Sequence, residues 1–332
     1  MPPSRSRSRI RQAARHAAGP RGVKARPPST RPATLHLTHF GAAGWSITDG
    51  TTTVLLDPYF SRVRFKGRPY GASDAATVPG DARPIIAYED APVADADTVD
   101  RHVARADYVL LSHSHFNHVM DMPQIARKTG AAVVGTESTG NIARAGGVPD
   151  AQIFPVRGGE DYAFERLSIK IIPSLHSALS GKHYWSSTPI PRDVKTPLRL
   201  KDYVEGGMLA YLVRLGGREI LLFGGMNYIE REITGLRPDI VLVAAAHPRR
   251  EIHDYTGRLL RALGRPPIVI ATHWDNQGLP FGAPQDEALA EAETFVAEVR
   301  AVAPRSQVVV PRHFETLVVG PGGRLRAGPL RT

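Results

Sequence analysis

The sequence predicts an α/β (α+β) fold in a single domain, with two β-sheets packed face to face and helices outside. Three observations lead there. Short β-type runs come first, mixed strands and helices follow, and a helix precedes a closing strand, an order that suits stacked sheets covered by helices. The chain has 332 residues and is 42% hydrophobic, with Val, Ile and Leu in short runs, enough for a sizeable core. No change of composition divides residues 34–332, so the expected organisation is a tail over 1–33 and one domain over 34–332.

The tail explains the charge. The formal net charge is +10, and residues 1–33 hold eight Arg, one Lys and no acid, which leaves +1 for the remaining 299 residues. With several prolines and no apolar periodicity, this stretch reads as a disordered basic tail. It lacks the apolar region of a secretory signal. No run of about 18 apolar residues occurs, so no transmembrane helix is expected. The expected compartment is the cytoplasm. The nearly neutral body argues against nucleic acid as a partner, because phosphate tracking needs clustered cations. The chain contains no cysteine, so any metal must sit on His, Asp, Glu or Asn.

The domain opens with β-type runs at 34–40, 44–48 and 51–57, with Asp49-Gly50 as a hairpin turn. A Pro/Gly-rich stretch follows to about 94, then a short helix at 95–105 and a buried strand, "DYVLLS". Asp121 is the expected N-cap of a helix at 122–129, with Pro123 in its first turn. A strand at 131–135, a helix at 138–145 and the strands "QIFPV" and "FERLSIKIIPS" come next. A long connection runs from 177 to 207. A hairpin pairs 208–215 with 218–223, followed by a strand at 239–246, a helix at 251–263 and a strand at 267–272. The last helix spans 284–302, with an apolar stripe of Leu289, Ala292, Val296, Val299 and Val302, and "QVVVP" is the closing strand.

The chemistry centres on "LLSHSHFNH". His113 and His115 stand at i and i+2 past a strand, where both side chains point to one side and can converge on one ion. His176, after "IKIIPSL", is the best third ligand. Three neutral imidazoles around zinc leave a position open for water, whose pKa then falls to about 7. His118 and Asn117 point toward a second ion position, which His273 in "VIATHWDN" could complete. His36, His102, His247 and His253 read as polar loop residues, and His313 is not expected to line the pocket.

These motifs resemble the metallo-β-lactamase-fold hydrolases. The nearest branch holds the ascorbate-6-phosphate lactonase-like and N-acyl-phosphatidylethanolamine phospholipase D-like proteins. The family motif H-x-H-x-D-H matches "HSHFNH" except at Asn117, and the early strand-end Asp matches Asp57 in "VLLDPYF". The third-motif and last-motif histidines match His176 and His273, and "THFGAAGWSI" is similar to the branch's first hairpin. The resemblance covers roughly residues 35–315 and implies a four-layer αββα sandwich. It also marks a second departure: the Gly-Asp that usually supplies a bridging carboxylate reads "LLFGGMNY", with Gly225 in place of Asp.

Two dications a few ångströms apart repel, and carboxylates normally offset that repulsion. Asn117 offers a neutral carbonyl and cannot act as a general base. The expectation is therefore one tightly held Zn2+ and a second that is weak or absent. Asn227, Glu230, Glu232 and Asp275 are read as surface or loop residues ahead of substitute ligands. Asp57 is expected to orient a ligand histidine rather than to bind metal. Di-iron relatives carry a carboxylate where His115 stands, which favours zinc.

The expected substrate is a small molecule, an ester, lactone or phosphodiester attacked by metal-bound hydroxide. An anionic one is expected because Arg62, Arg64, Lys66 and Arg68 follow Asp57, and because Lys182, His183, Tyr184 and Trp185 follow His176. Two other readings stand beside this one: a degenerate, non-catalytic binding protein, suggested by Asn117 and Gly225, and a nucleic-acid-processing nuclease, suggested by the tail alone. The sequence does not reveal the oligomeric state.

Overall fold

The computed structural model describes residues 32–66, 78–178, 182 and 186–327. The expected basic tail, apart from Pro32 and Ala33, lies outside the described residues, as do Arg68, His183, Tyr184 and Trp185.

Two sheets dominate. The first has eight strands in the order Leu325–Ala327, Thr316–Val319, Leu35–Gly41, Gly44–Thr48, Thr53–Leu56, Tyr108–Leu110, Ala132–Gly135 and Ile153–Pro155. The second has seven, in the order Gln307–Val309, Ile268–Thr272, Ile240–Ala244, Arg218–Phe223, Leu209–Leu215, Ser168–Pro173 and Asp161–Ala163. Each sheet is antiparallel in one part and parallel in the other. Thr53–Leu56 begins the parallel part of the first sheet, and Arg218–Phe223 begins that of the second.

Alternation along the strands builds the layers. Leu35, Leu37, Trp45, Ile47, Val54, Leu56 and Leu110 face Ile169, Tyr211, Leu222, Leu242 and Ile270 in one central core. The neighbouring positions face outward. Leu55, Val109, Leu111 and Val133 pack on Val99, Met122, Ile125 and Ile142 from the helices Ala96–His102, Met122–Thr129 and Glu137–Ala145. Leu221, Val241, Val243 and Val269 pack on Leu259, Leu260, Phe295 and Val299 from Tyr255–Ala262 and Asp286–Val302. Each such aliphatic or aromatic side chain contributes about 1.5–3 kcal/mol when fully buried. The result is the expected helix–sheet–sheet–helix sandwich in one domain.

Four expectations need correction. "QVVVP" does not close the fold: Thr316–Val319 runs back to pair with Leu35–Thr38 of the first sheet. The expected 251–263 helix begins as a 3-10 turn at His247–Glu251 and becomes α-helical only at Tyr255. The final helix buries Ala292, Phe295 and Val299 while Leu289 is exposed, because the i, i+3, i+7 row through Phe295 faces the sheet. Asp121 precedes its helix but makes no capping bond. Its carboxylate accepts from Phe60 N at 2.6 Å and Ser61 N at 3.0 Å instead, fixing the loop after Asp57.

Candidate metal centre

The histidine loop is bonded to both sheets. It leaves the parallel strand Tyr108–Leu110, and the C-terminal ends of parallel strands are where open α/β sheets place ligands. From the first sheet, Val134 O accepts from Leu111 N at 2.9 Å. From the second, Tyr211 Oη donates to Leu111 O at 2.6 Å and Leu209 N to Ser112 O at 2.8 Å. Ser114 N then donates to Glu205 O at 2.9 Å. His115 precedes a one-turn helix, Phe116–Val119, which carries Asn117 and His118; the sequence reading placed both in a loop.

His113, His115 and His176 converge, all buried, with one ligand nitrogen from each within 4.8 Å of the others. His113 Nε2 and His115 Nδ1 are 3.0 Å apart, close to the roughly 3.3 Å expected between two nitrogens on one tetrahedral zinc. Neighbouring oxygens fix the tautomers. Asp57 is buried, and a carboxylate only accepts, so Ser112 Oγ donates to Asp57 Oδ2 at 2.6 Å. Ser112 Oγ then accepts from His113 Nδ1 at 3.0 Å. His176 Nδ1 donates to Ser177 O at 3.0 Å. Both rings thus keep Nε2 as a lone-pair donor, as a metal ligand must.

Charge supports the same state. Burial first, and the neighbouring histidines second, hold His113 and His115 well below the ordinary histidine pKa. Burial lowers His176 to about 4. Burial and the proximity of His118 lower His273 to about 4. A cluster of neutral imidazoles suits a borderline dication such as zinc.

The second position is poorer. His118 Nδ1 lies 2.8 Å from Asp57 Oδ2, so Asp57 holds one histidine directly and His113 through Ser112. The His118 and His273 ring centroids are 5.4 Å apart. Asp57 and His273 both adopt left-handed backbones, φ 39° and 47°, a strain for non-glycine residues that tends to gather at functional sites. Among the described residues no carboxylate joins His118 and His273 in a metal-ligand group. Asn117 Nδ2 donates to Gln277 Oε1 at 2.7 Å. The nearby acids are engaged elsewhere: Asp275 with Arg62 and His313, Glu230 with Arg258, Glu232 with Arg231. Asn227 accepts from Tyr228 N at 2.9 Å.

The five histidines line a cavity of about 410 Å³ with Asn117, Gln277, Asn276, Phe65, Phe116 and Met226. Its described lining holds no Lys or Arg. Arg62 is buried and binds Asp275, Asn276 O and Leu279 O. Arg64 Nε is 3.8 Å from Asp81 and Lys182 Nζ is 2.9 Å from Glu251. Arg62, Arg64, Lys66 and Lys182 are not among the residues that line the cavity. Sequence reasoning missed Ser112, Arg62 as a structural residue, and Gln277. A Ser before a histidine and a Gln in a loop carry no pattern of their own, and Arg62 in a basic run looked solvated.

With this geometry in place, comparison with known proteins gives the family. Residues 36–273 match the model of the beta-lactamase superfamily domain, and the chain belongs to that superfamily of metal-dependent hydrolases, with the metallo-β-lactamase fold. A UPF0173 metal-dependent hydrolase of Heliobacterium modesticaldum is 25% identical over 287 residues, covering 86% of this chain and 84% of the relative. One from Pyrobaculum calidifontis is 35% identical over 92 residues, 27% of this chain and 40% of that protein. Among solved structures, an isothiocyanate hydrolase from Delia radicum gut bacteria aligns with TM-score 0.54 at 17% identity, covering 85% of this chain and 98% of that one. CmlA, a diiron beta-hydroxylase from Streptomyces venezuelae, aligns with TM-score 0.52 at 16% identity, covering 87% and 54%. These structural likenesses concern the fold alone. Among the described residues no helix is long and apolar enough to cross a membrane.

Proposed function

We propose that this protein is a zinc-dependent hydrolase with one tight metal position, His113, His115 and His176, and a second that is weak or empty. The observation that carries the reading is the convergence of His113 Nε2 and His115 Nδ1 at 3.0 Å, with Asp57 and Ser112 fixing the tautomer behind them. When bound there, zinc supplies Lewis acidity and lowers the pKa of a water to about 7.

The protein's own groups do the rest. Asp57 holds the Nδ1–H of His118 and leaves Nε2 of that ring available, either to a second ion or to a proton released by the attacking water. Phe65, Phe116 and Met226 give the cavity an apolar wall that limits water around the bound group. Of the ester, lactone and phosphodiester chemistries this scaffold could host, the cation-free described lining favours an uncharged acyl group, an ester or lactone. Lys182, with its neighbours His183, Tyr184 and Trp185, stays a proposed outer contact for substrate.

The test is metal analysis by mass spectrometry on protein purified without chelator, with an ester and lactone panel assayed in parallel. About one zinc per chain and activity, both lost in His113→Ala, support the reading. The loss of both family carboxylates, at 117 and 225, favours a second reading, a binding protein without catalysis. Metal-loaded protein inert toward the whole panel would leave that one standing.

A further inference from the structure

We infer that the Asn117–Gln277 carboxamide pair binds the oxygen that becomes negative during the reaction, at the place where a second metal ion would otherwise sit. This rests on the hydrolase reading above. Asn117 follows His115 by two residues and precedes His118, and it shares the histidine cavity with Gln277. Asn117 Nδ2 donates to Gln277 Oε1 at 2.7 Å, and Gln277 Nε2 has no protein partner among the described residues. Exchanging O and N in both amides does not remove the feature: the bond then runs from Gln277 to Asn117, and the Asn117 NH2 is the one with protons to spare. In either arrangement the cavity that the histidines line includes a carboxamide NH2 with protons to spare among the described residues.

The backbone on both sides of Gln277 is held by Arg62 and Arg83, far away in sequence, and by the nearby Gln285. Arg62 Nη2 donates to Asn276 O at 2.7 Å and Arg62 Nε to Leu279 O at 2.8 Å. Arg83 Nη2 donates to Gly278 O at 2.8 Å, and Gln285 Oε1 accepts from Asn276 N at 2.8 Å. The carbonyls and amides on both sides of Gln277 are thus fixed by side chains from three other segments, while among the described residues the Gln277 side chain hydrogen-bonds only with Asn117. A turn this strongly bonded, presenting one loosely engaged amide to a cavity, is a preorganised donor. Donors already in place need no reorganisation as charge develops.

The chemistry separates this from a metal site. A carboxamide donates hydrogen bonds to an oxyanion but brings no negative charge to hold a second dication. The described lining of the cavity contains no Lys or Arg that could take the oxyanion instead. Asn117 is a positioning residue in the drawn arrangement, and Gln277 touches the reacting oxygen.

The test uses the full-length zinc-loaded protein, with Gln277→Leu and Gln277→Glu. Zinc content is measured by mass spectrometry, kcat and KM on the best substrate of the ester and lactone panel, and binding of phenylphosphonate, a stable tetrahedral anion, by calorimetry. Expected for Gln277→Leu are unchanged zinc content, kcat down about 100-fold with KM within about threefold, and phenylphosphonate affinity down at least about tenfold. Gln277→Glu keeps the acceptor for Asn117 and loses the donor, so it should lower kcat and anion affinity as well while raising zinc content at high zinc. Wild-type affinity for phenylphosphonate retained in both variants overturns the inference, as does a wild-type protein that binds no phenylphosphonate. A wild-type protein that hydrolyses nothing but binds the anion through Gln277 overturns the hydrolase reading and leaves the anion-binding pair standing.

Discussion

Asp57 Oδ2 lies 2.8 Å from His118 Nδ1, and both side chains are shut off from solvent. The same carboxylate accepts from Ser112 Oγ at 2.6 Å, and its other oxygen accepts from Ser112 N at 2.7 Å. One acid from the end of Thr53–Leu56 thereby sets the ring orientation of two histidines on a different strand connection. In the proposed arrangement it would orient ligands of both metal positions without reaching either.

Replacing Asp57 with Asn tests that arrangement. Asn can still accept from Ser112 N, but its NH2 then faces the His118 Nδ1–H, donor against donor, and the Ser112 hydroxyl loses its acceptor. His118 would have to move its proton to Nε2. We expect zinc affinity to fall about 10- to 100-fold, the range for lost partners of metal ligands. The buried mismatch should also cost about 1–3 kcal/mol of stability. Zinc titration against a competing chelator reads the first, and denaturant unfolding of metal-free protein reads the second. Affinity equal to that of the wild type would show that Asp57 does not tune the ligands.

Adjacent glycines should behave differently. A Cβ on Gly224 would sit 2.2 Å from Ser112 Oγ and 2.4 Å from Asp57 Oδ2. Gly224→Ala therefore drives into the cluster that fixes the tautomers, and overpacking of this kind costs about 1–3 kcal/mol. On Gly225 the closest atom would be Met208 Cε at 2.8 Å, the flexible end of a long side chain. Gly225→Asp should fold, and together with Asn117→Asp it should raise zinc from about one to about two per chain. A double variant that folds and still binds one zinc would mean that missing carboxylates are not what weakens the second position.

The fold class, and the convergence of His113, His115 and His176, were legible because they depend on local pattern. His113-x-His115 after an apolar strand, with His176 and His273 past two others, marks strand ends facing one crevice, and period-two alternation marks the sheets. What could not be read depends on long-range partners. Arg62 lies in a run of cations and looks solvated, yet it is buried 213 residues away from its partner Asp275. Asp121 has an N-cap's position, but its carboxylate is taken by residues 60 and 61. Thr316–Val319 has no strand signature beyond its own apolar residues. Its place is set by the unpaired edge of Leu35–Gly41.

Arg62 and Asp275 give a prediction about the turn. Burial alone would raise the Asp275 carboxyl, but Arg62, with help from the His313 bond, holds it well below the usual carboxylate range. Asp275 also accepts from Ala42 N at 2.8 Å, tying the turn to the first hairpin. Arg62→Met strands that carboxylate, and breaking a buried pair from one side costs about 3–5 kcal/mol. The melting temperature should drop by roughly 10 °C. A group with a depressed folded pKa stabilises above its unfolded value near 4 and loses that contribution as the pH falls. Arg62→Met should therefore lose less stability than wild type on going below about pH 4. A variant as stable as wild type at neutral pH would remove the clamp from the account.

His39 sets a pH dependence at the other side of this network. It is fully buried, 4.8 Å from the Trp45 ring, and burial lowers its pKa to about 4 despite the nearby Asp275 charge. The folded protein keeps the ring neutral where the unfolded chain, with a pKa of about 6.5, protonates it. Between those values the unfolded state binds more protons, so stability falls as the pH drops through about 6.5 toward 4. From pH 7.5 to 5.5 this one residue costs about 1 kcal/mol. His39→Phe removes that contribution and keeps an aromatic ring against Trp45. Metal-free wild type and variant, unfolded in urea at both pH values, should differ in their pH-induced loss by about 1 kcal/mol, with the variant losing less. Equal losses in the two proteins would mean that His39 is protonated in the folded state near its ordinary pKa. The buried environment drawn for it would then be wrong.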